Sequence, residues 1–80
     1  MQVKLSGSLT NAAGGRTLFE VEAGTINQIL LRLGSAYPEL APLLEEGVSV
    51  AVDGVIYRGD FTRLVQEGSE VVLIDPIVGG

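Results

Sequence analysis

The chain has 80 residues, a formal net charge of -5, no cysteine and no histidine. A chain of this length folds as one domain that buries only roughly 60–65% of its unfolded surface, which argues against a deep active-site cleft. The negative charge argues against nucleic-acid and anionic-membrane binding, and the missing residue types exclude thiolate and imidazole catalysis, disulfides and the usual zinc sites. We therefore expect no bound cofactor and no metal, and a basic protein as the partner.

The N-terminal residues alternate between polar and apolar side chains, with Val3 and Leu5 on one face, which predicts a strand from the first residue. A chain reversal is predicted at residues 10–16, TNAAGGR, and TLFEVEA then returns with Phe19 and Val21 on one face. These two strands should form a hairpin with a long tip. The N-terminus lacks an apolar run long enough for a signal peptide or a membrane span, so we expect a cytoplasmic protein.

One amphipathic helix is predicted after the hairpin. Thr25, followed three residues later by Gln28, has the spacing of a capping box. Four apolar residues at helical spacing follow, namely Ile26, Ile29, Leu30 and Leu33. The helix should end before Pro38, which disfavours helical geometry in the residue before it. A short second helical turn is predicted next, with a buried edge of Leu40, Leu43 and Leu44.

Three further strands are predicted in the second half of the chain. Val48, Val50 and Val52 alternate with small residues, and Asp53-Gly54 is a favoured two-residue hairpin turn. The segment EVVLID supplies the last strand, which Asp75-Pro76 terminates. The one main helix is too short to cover both faces of the sheet, so one face should pack on the helix and the other should meet solvent.

The last strand is apolar on both of its faces. If Val71 and Leu73 face the helix, Val72 and Ile74 lie on the open face beside the tail, and such a patch marks a partner surface. The alternative is a fully enclosed central strand, because a buried strand also reads as a continuous apolar run. The sequence leaves both interpretations open.

Two other motifs are weaker candidates. The glycine pair in AAGG at residues 12–15 is compatible with phosphate binding, but the segment lacks the lysine and the following helix of a P-loop, so a hairpin tip is favoured. Glu45 and Glu46 are adjacent acidic residues, but neighbours on a helix do not face each other, which favours a solvated helix end over acid-base chemistry.

The order of elements resembles that of the ubiquitin-like sulfur carriers. Four motifs carry the same resemblance, namely YPEL after the helix, VDG at the tight turn, EGSEV before the last strand and the final Gly79-Gly80. This family includes the small subunit of molybdopterin synthase and the thiamine-pathway sulfur carrier, and the likeness to the molybdopterin-type branch is closer. The resemblance implies an α+β fold, the β-grasp, with a mixed sheet of four to five strands packed on one main helix. It also implies a domain at residues 1–75 and a flexible C-terminal tail at residues 76–80.

The resemblance implies that the Gly80 carboxylate is adenylated by a ubiquitin-activating-enzyme-like adenylyltransferase that uses ATP, and then becomes a thiocarboxylate. The thiocarboxylate would donate sulfur through an acceptor enzyme, such as a large synthase subunit. The chain would then be a protein co-substrate and not an enzyme in its own right. Two alternatives stay open: a ubiquitin-like modifier joined through Gly80 to lysines of other proteins, and a plain interaction module.

The same resemblance assigns roles to the residues before Gly80. Gly79, Val78 and Pro76 would be the tail residues that the partner recognises, and Ile74 with Val72 would form the partner surface. Glycines without a Cβ can pass a narrow channel, and proline stiffens the base of the tail.

Overall fold

Five strands form one mixed sheet in the computed structural model, which describes residues 1–12 and 14–74. The strands are β1 (Gln2–Leu5), β2 (Leu18–Glu20), β3 (Ser49–Val52), β4 (Val55–Tyr57) and β5 (Val71–Ile74). Their order across the sheet is β2-β1-β5-β3-β4. The central strand β5 runs parallel to β1 and antiparallel to β3, and the two outer pairs are antiparallel. The predicted α+β class and mixed sheet are confirmed.

The helical layer covers one face of this sheet. It contains α1 (Ser8–Ala12), α2 (Ile26–Ala36) and α3 (Ala41–Glu46), with a 3₁₀ turn (Pro38–Leu40) before α3. The core between the two layers includes Val3, Leu5, Leu9, Phe19, Ile26, Ile29, Leu30, Leu33, Leu40, Val48, Val50, Val65, Val71 and Leu73. None of the helices in the described ranges combines the length and the apolar composition that crossing a membrane requires.

The main helix α2 begins and ends as predicted. The Gln28 amide donates to Thr25 Oγ1 at 3.1 Å, and the Thr25 amide donates to Gln28 Oε1 at 2.9 Å, which completes the capping box. The four residues at helical spacing are buried, and α2 ends where the Tyr37 amide donates to the Leu33 carbonyl at 2.8 Å. In the second turn, Leu40 is buried as predicted, and Leu43 and Leu44 are partly buried against the core.

The first hairpin differs from the prediction. Strands β1 and β2 pair antiparallel, but α1 lies in their connection, and β2 is shorter than the predicted strand. The helix forms because Leu9 is almost fully buried in the core, a tertiary contact that the surrounding polar sequence does not signal. After α1, Gly15 has a φ of 89° and donates its amide to the Thr10 carbonyl, a contact typical of a helix end. The Gly14 amide also donates to a carbonyl of α1, that of Asn11, so both glycine amides are engaged within the chain and the structure favours a helix end over a phosphate site.

The loop before β5 is packed on the start of α2. The Ile26 amide donates to the Arg63 carbonyl at 3.0 Å, and the Asn27 amide donates to the Phe61 carbonyl at 2.9 Å. These contacts satisfy first-turn amides that have no partner within a helix. Val65 is buried in the core and holds the loop in place.

The second hairpin has the predicted turn, and its aspartate has a further role. Asp53 and Gly54 have φ angles of 49° and 86°, the left-handed geometry of a type I′ turn. Asp53 Oδ1 also accepts the Glu70 amide at 2.8 Å, while the Asp53 amide donates to the Glu70 carbonyl at 2.9 Å. The turn of β3 and β4 is thereby tied to the start of the central strand.

Candidate functional site

The two faces of β5 have different environments. Val71 and Leu73 are 1% and 0% exposed, whereas Val72 and Ile74 are partly exposed on the opposite side. The predicted placement of Val72 and Ile74 on the open face is confirmed, and the fully enclosed alternative is wrong. The open face forms because the helices cover the sheet on one side only.

The strand register assembles an apolar row across this open face. Residues paired directly across neighbouring strands point to the same side of the sheet. Lys4 and Ala51 flank Val72 on β1 and β3, and Leu18 and Ile56 extend the row at its two ends. Ile56 is 52% exposed, a high value for a large apolar side chain. We call Leu18, Lys4, Val72, Ala51 and Ile56 the open-face row.

Sequence reasoning found only the β5 member of this row. Leu18, Ala51 and Ile56 come from three other strands, and no local pattern marks them as neighbours of Val72. The β5 position was found because consecutive apolar residues in a strand necessarily place some of them on each face.

The end of β5 is held on both sides by the neighbouring strands. Ile74 pairs with Ser49 on β3. On the β1 side, the Ser6 amide and hydroxyl both donate to the Leu73 carbonyl, at 3.1 and 3.2 Å. The end of β5, which precedes the last residues in sequence, is therefore fixed beside the open-face row.

The remaining predicted site residues, Pro76, Val78, Gly79 and Gly80, lie outside the described residues, as does the predicted strand stop Asp75-Pro76. Their roles, and the predicted boundary between domain and tail, stay predictions.

Charge is distributed unevenly over the open face. Three acidic residues lie at the end of the sheet where β5 begins, namely Glu20, Glu70 and Asp53. Lys4, in the middle of the open-face row, approaches Glu70 at 3.9 Å, and both side chains are more than half exposed. Such an exposed ion pair contributes little to stability, so breaking it would cost the fold little.

The described residues offer surfaces and not a metal centre. Within residues 1–12 and 14–74, no group of three or more His, Cys, Asp or Glu side chains is arranged to hold a metal ion. The arrangement presents a partly exposed, mostly apolar sheet face beside the fixed end of β5.

Comparison with known proteins identifies the family. The ThiS family profile matches residues 3–80. No curated protein sequence matches the chain significantly.

Several solved structures share the fold over nearly the whole chain. The SAMP1 structure from Haloferax volcanii is 26% identical with a TM-score of 0.73, over 99% of this chain and 97% of that chain. A chain of the BexX/CysO complex from Amycolatopsis orientalis is 21% identical with a TM-score of 0.76, over 99% and 98%. A chain of the complex of subunits 1 and 2 of molybdopterin-converting factor from Helicobacter pylori 26695 is 16% identical with a TM-score of 0.70, over 99% and 96%.

The last two likenesses establish the fold alone, because their identities are low. The family profile covers almost every residue, and the element order and sheet topology agree with the β-grasp. The protein therefore belongs to the ThiS family of small ubiquitin-like β-grasp proteins, as the resemblance in its sequence predicted.

Proposed function

We propose that this protein is a cytoplasmic sulfur carrier whose Gly80 carboxyl group is adenylated and then converted to a thiocarboxylate. The observation that carries the proposal is the ThiS profile, which extends through Gly80 on a fold whose central strand ends directly before the tail. We propose molybdopterin biosynthesis as the pathway, on the resemblance of the YPEL, VDG and EGSEV motifs to the molybdopterin-type branch.

The chemistry requires a partner enzyme. A terminal carboxylate with a pKa near ~3.5 is ionised at neutral pH and is a poor electrophile. Attack of the Gly80 carboxylate on the α-phosphate of ATP would release pyrophosphate and leave an acyl adenylate. A sulfur nucleophile would then displace AMP and leave the thiocarboxylate. The adenylyltransferase supplies the catalytic groups and binds the ATP, so the carrier acts as a co-substrate with no cofactor of its own.

The composition of the tail suits delivery into another active site. The five residues after Asp75 span at most roughly 17 Å when extended. Gly79 and Gly80 have no Cβ and adopt backbone angles that other residues avoid, which fits a narrow channel. Pro76 restricts the backbone dihedral angles at the start of the tail, which lowers the conformational entropy lost when the tail enters a channel. Val78, between Pro76 and the two glycines, offers the partner an apolar side chain.

The open-face row and Ile74 would supply the docking energy. Val72 and Ile74 lie next to the departure point of the tail, so a partner bound there would also receive the Gly80 carboxyl. The adenylyltransferase and the sulfur-acceptor enzyme would use this surface in turn, because both must reach the same terminal group.

A ubiquitin-like modifier is the second candidate. It is favoured by the 26% identity to SAMP1 from Haloferax volcanii. A second similar structure from that organism is of small archaeal modifier protein 1. In this case the activated Gly80 carbonyl would be attacked by a lysine amine of another protein. Activation would be the same, and only the acceptor would differ.

The intact mass of the protein isolated from its native cells distinguishes these functions. A mass increase matching the replacement of one oxygen by sulfur supports the carrier, and a Gly80-deleted form expressed in parallel should lack it. For the modifier, the trypsin site nearest the C-terminus follows Arg63, so digestion would leave residues 64–80 attached to the target lysine. The mass-spectrometric search for modified lysines must therefore use this long remnant. If neither product is found, the interaction module replaces both functions.

A further inference from the structure

An apolar groove lies between α2 and α3, in the layer opposite the open-face row. Its volume is about 240 Å³, and it is lined by Leu30, Leu31, Gly34, Ala41, Leu44 and Glu45. Pockets that bind small molecules usually measure about 300–1,000 Å³. The size of this groove therefore favours one or two protein side chains over a metabolite.

Gly34 keeps the groove open without being needed for the packing of the helices. It lies inside α2, and a Cβ at this position would be 3.6 Å from Leu44 Cδ1 and 3.7 Å from Ala41 Cβ. These are ordinary contact distances, so a methyl group would fit. Since glycine inside a helix is less stable than alanine, the residue lowers stability and leaves the groove unfilled.

Leu31 adds an apolar wall to the same groove. Its side chain is 65% exposed, although other apolar residues of α2 are buried against the sheet. A single exposed leucine is common on protein surfaces. Here, however, it borders the space left by Gly34 and continues to Leu30 and Leu44, so it is part of an apolar patch.

Glu45 gives the groove a negative end. It lies in the last turn of α3, where the helix carries partial negative charge and no basic residue is present. Within residues 1–12 and 14–74, no cation is at ion-pair distance from Glu45. The only cation on α2, Arg32, instead donates to the carbonyls of Glu22 and Ala23 at 3.2 and 2.9 Å.

We propose that this groove binds a basic amphipathic segment of a partner protein. An apolar side chain of that segment would lie between Leu31 and Leu44, and a neighbouring lysine or arginine would pair with Glu45. Gly34 and Glu45 depart from what a stable isolated helix prefers, and Leu31 is a large apolar side chain left exposed to solvent. Such departures concentrate at functional sites. A basic occupant also complements the net charge of -5.

The groove and the open-face row lie on opposite sides of the molecule, so a second protein could bind while the sheet face is occupied. The inference does not depend on the chemistry of Gly80.

The test is a titration in which a peptide is added to the isotope-labelled 80-residue chain. Binding is monitored by the changes in the backbone amide chemical shifts. The probe is a short synthetic peptide of leucine and lysine with an apolar face at helical spacing, and a scrambled peptide of the same composition is the control. Shifts should be confined to the residues that line the groove. Gly34→Leu should weaken binding at least tenfold by filling the groove, and Glu45→Gln should weaken it several-fold and reduce its salt dependence.

Leu31→Ser tests the same groove at an exposed position if Gly34→Leu fails to fold, and it should also weaken binding. The proposal is overturned if the peptide does not bind, if the shifts map to the open-face row, or if the scrambled peptide binds equally well. It is also overturned if sedimentation shows self-association that Leu31→Ser abolishes, because a second copy would then be the occupant.

Discussion

Replacing Leu33 with alanine should lower the free energy of unfolding by about 2–5 kcal/mol, because the side chain is fully buried on the sheet-facing side of α2. The substitution removes apolar contacts and leaves a cavity that the two rigid layers cannot close completely. A domain of this size has a total stability of about 4–12 kcal/mol. At about 4–8 °C per kcal/mol, the melting temperature should fall by roughly 10 °C or more.

The same helix offers a matched control. Leu31→Ala makes the identical chemical change two residues earlier, at a side chain that is 65% exposed. Its effect should stay within about 0.5 kcal/mol, because surface substitutions rarely exceed that value and the helix propensities of the two residues are close. Urea and thermal unfolding of both variants, followed by circular dichroism, gives the comparison. Equal destabilisation by the two variants would refute the assignment of the buried face of α2.

Three further outcomes are expected. Gly34→Ala should raise the free energy of unfolding by about 0.5–1 kcal/mol in urea titrations, because the methyl group fits beside Ala41 and alanine is the better helix former. Ile56→Asp should weaken binding to the cognate activating enzyme in calorimetric titrations while leaving the melting temperature nearly unchanged, because the side chain is exposed in the open-face row. Deleting Gly80, or adding a residue other than glycine after it, should abolish pyrophosphate exchange without altering the melting temperature, because a displacement of roughly 3.5 Å removes the carboxyl group from in-line attack.

Each of these outcomes can fail in a distinct way. A destabilised Gly34→Ala variant would mean that α2 and α3 pack more tightly than the groove implies. An Ile56→Asp variant that binds with unchanged affinity would remove the open-face row from the interface. Pyrophosphate exchange that survives both changes at Gly80 would exclude the carrier and the modifier together.

The sequence alone was sufficient where the determining interactions are local. The capping box of Thr25 and Gln28, the apolar spacing along α2 and the Asp53-Gly54 turn involve residues within a few positions of one another, and all three are present as predicted. For β5 the sequence left two interpretations open, and the partial exposure of Val72 and Ile74 beside the buried Val71 and Leu73 decided between them.

Only the tertiary structure decided the features that depend on distant residues. The helix α1 exists because Leu9 reaches the core, and the loop before β5 is ordered because its carbonyls accept the first amides of α2. The open-face row combines one residue from each of the five strands, whose register is set by pairing across the sheet. The groove requires α3 to fold back against Gly34. The periodicity of apolar residues shows which face of a helix or strand is apolar. Whether another element covers that face depends on packing between segments that are far apart in the chain.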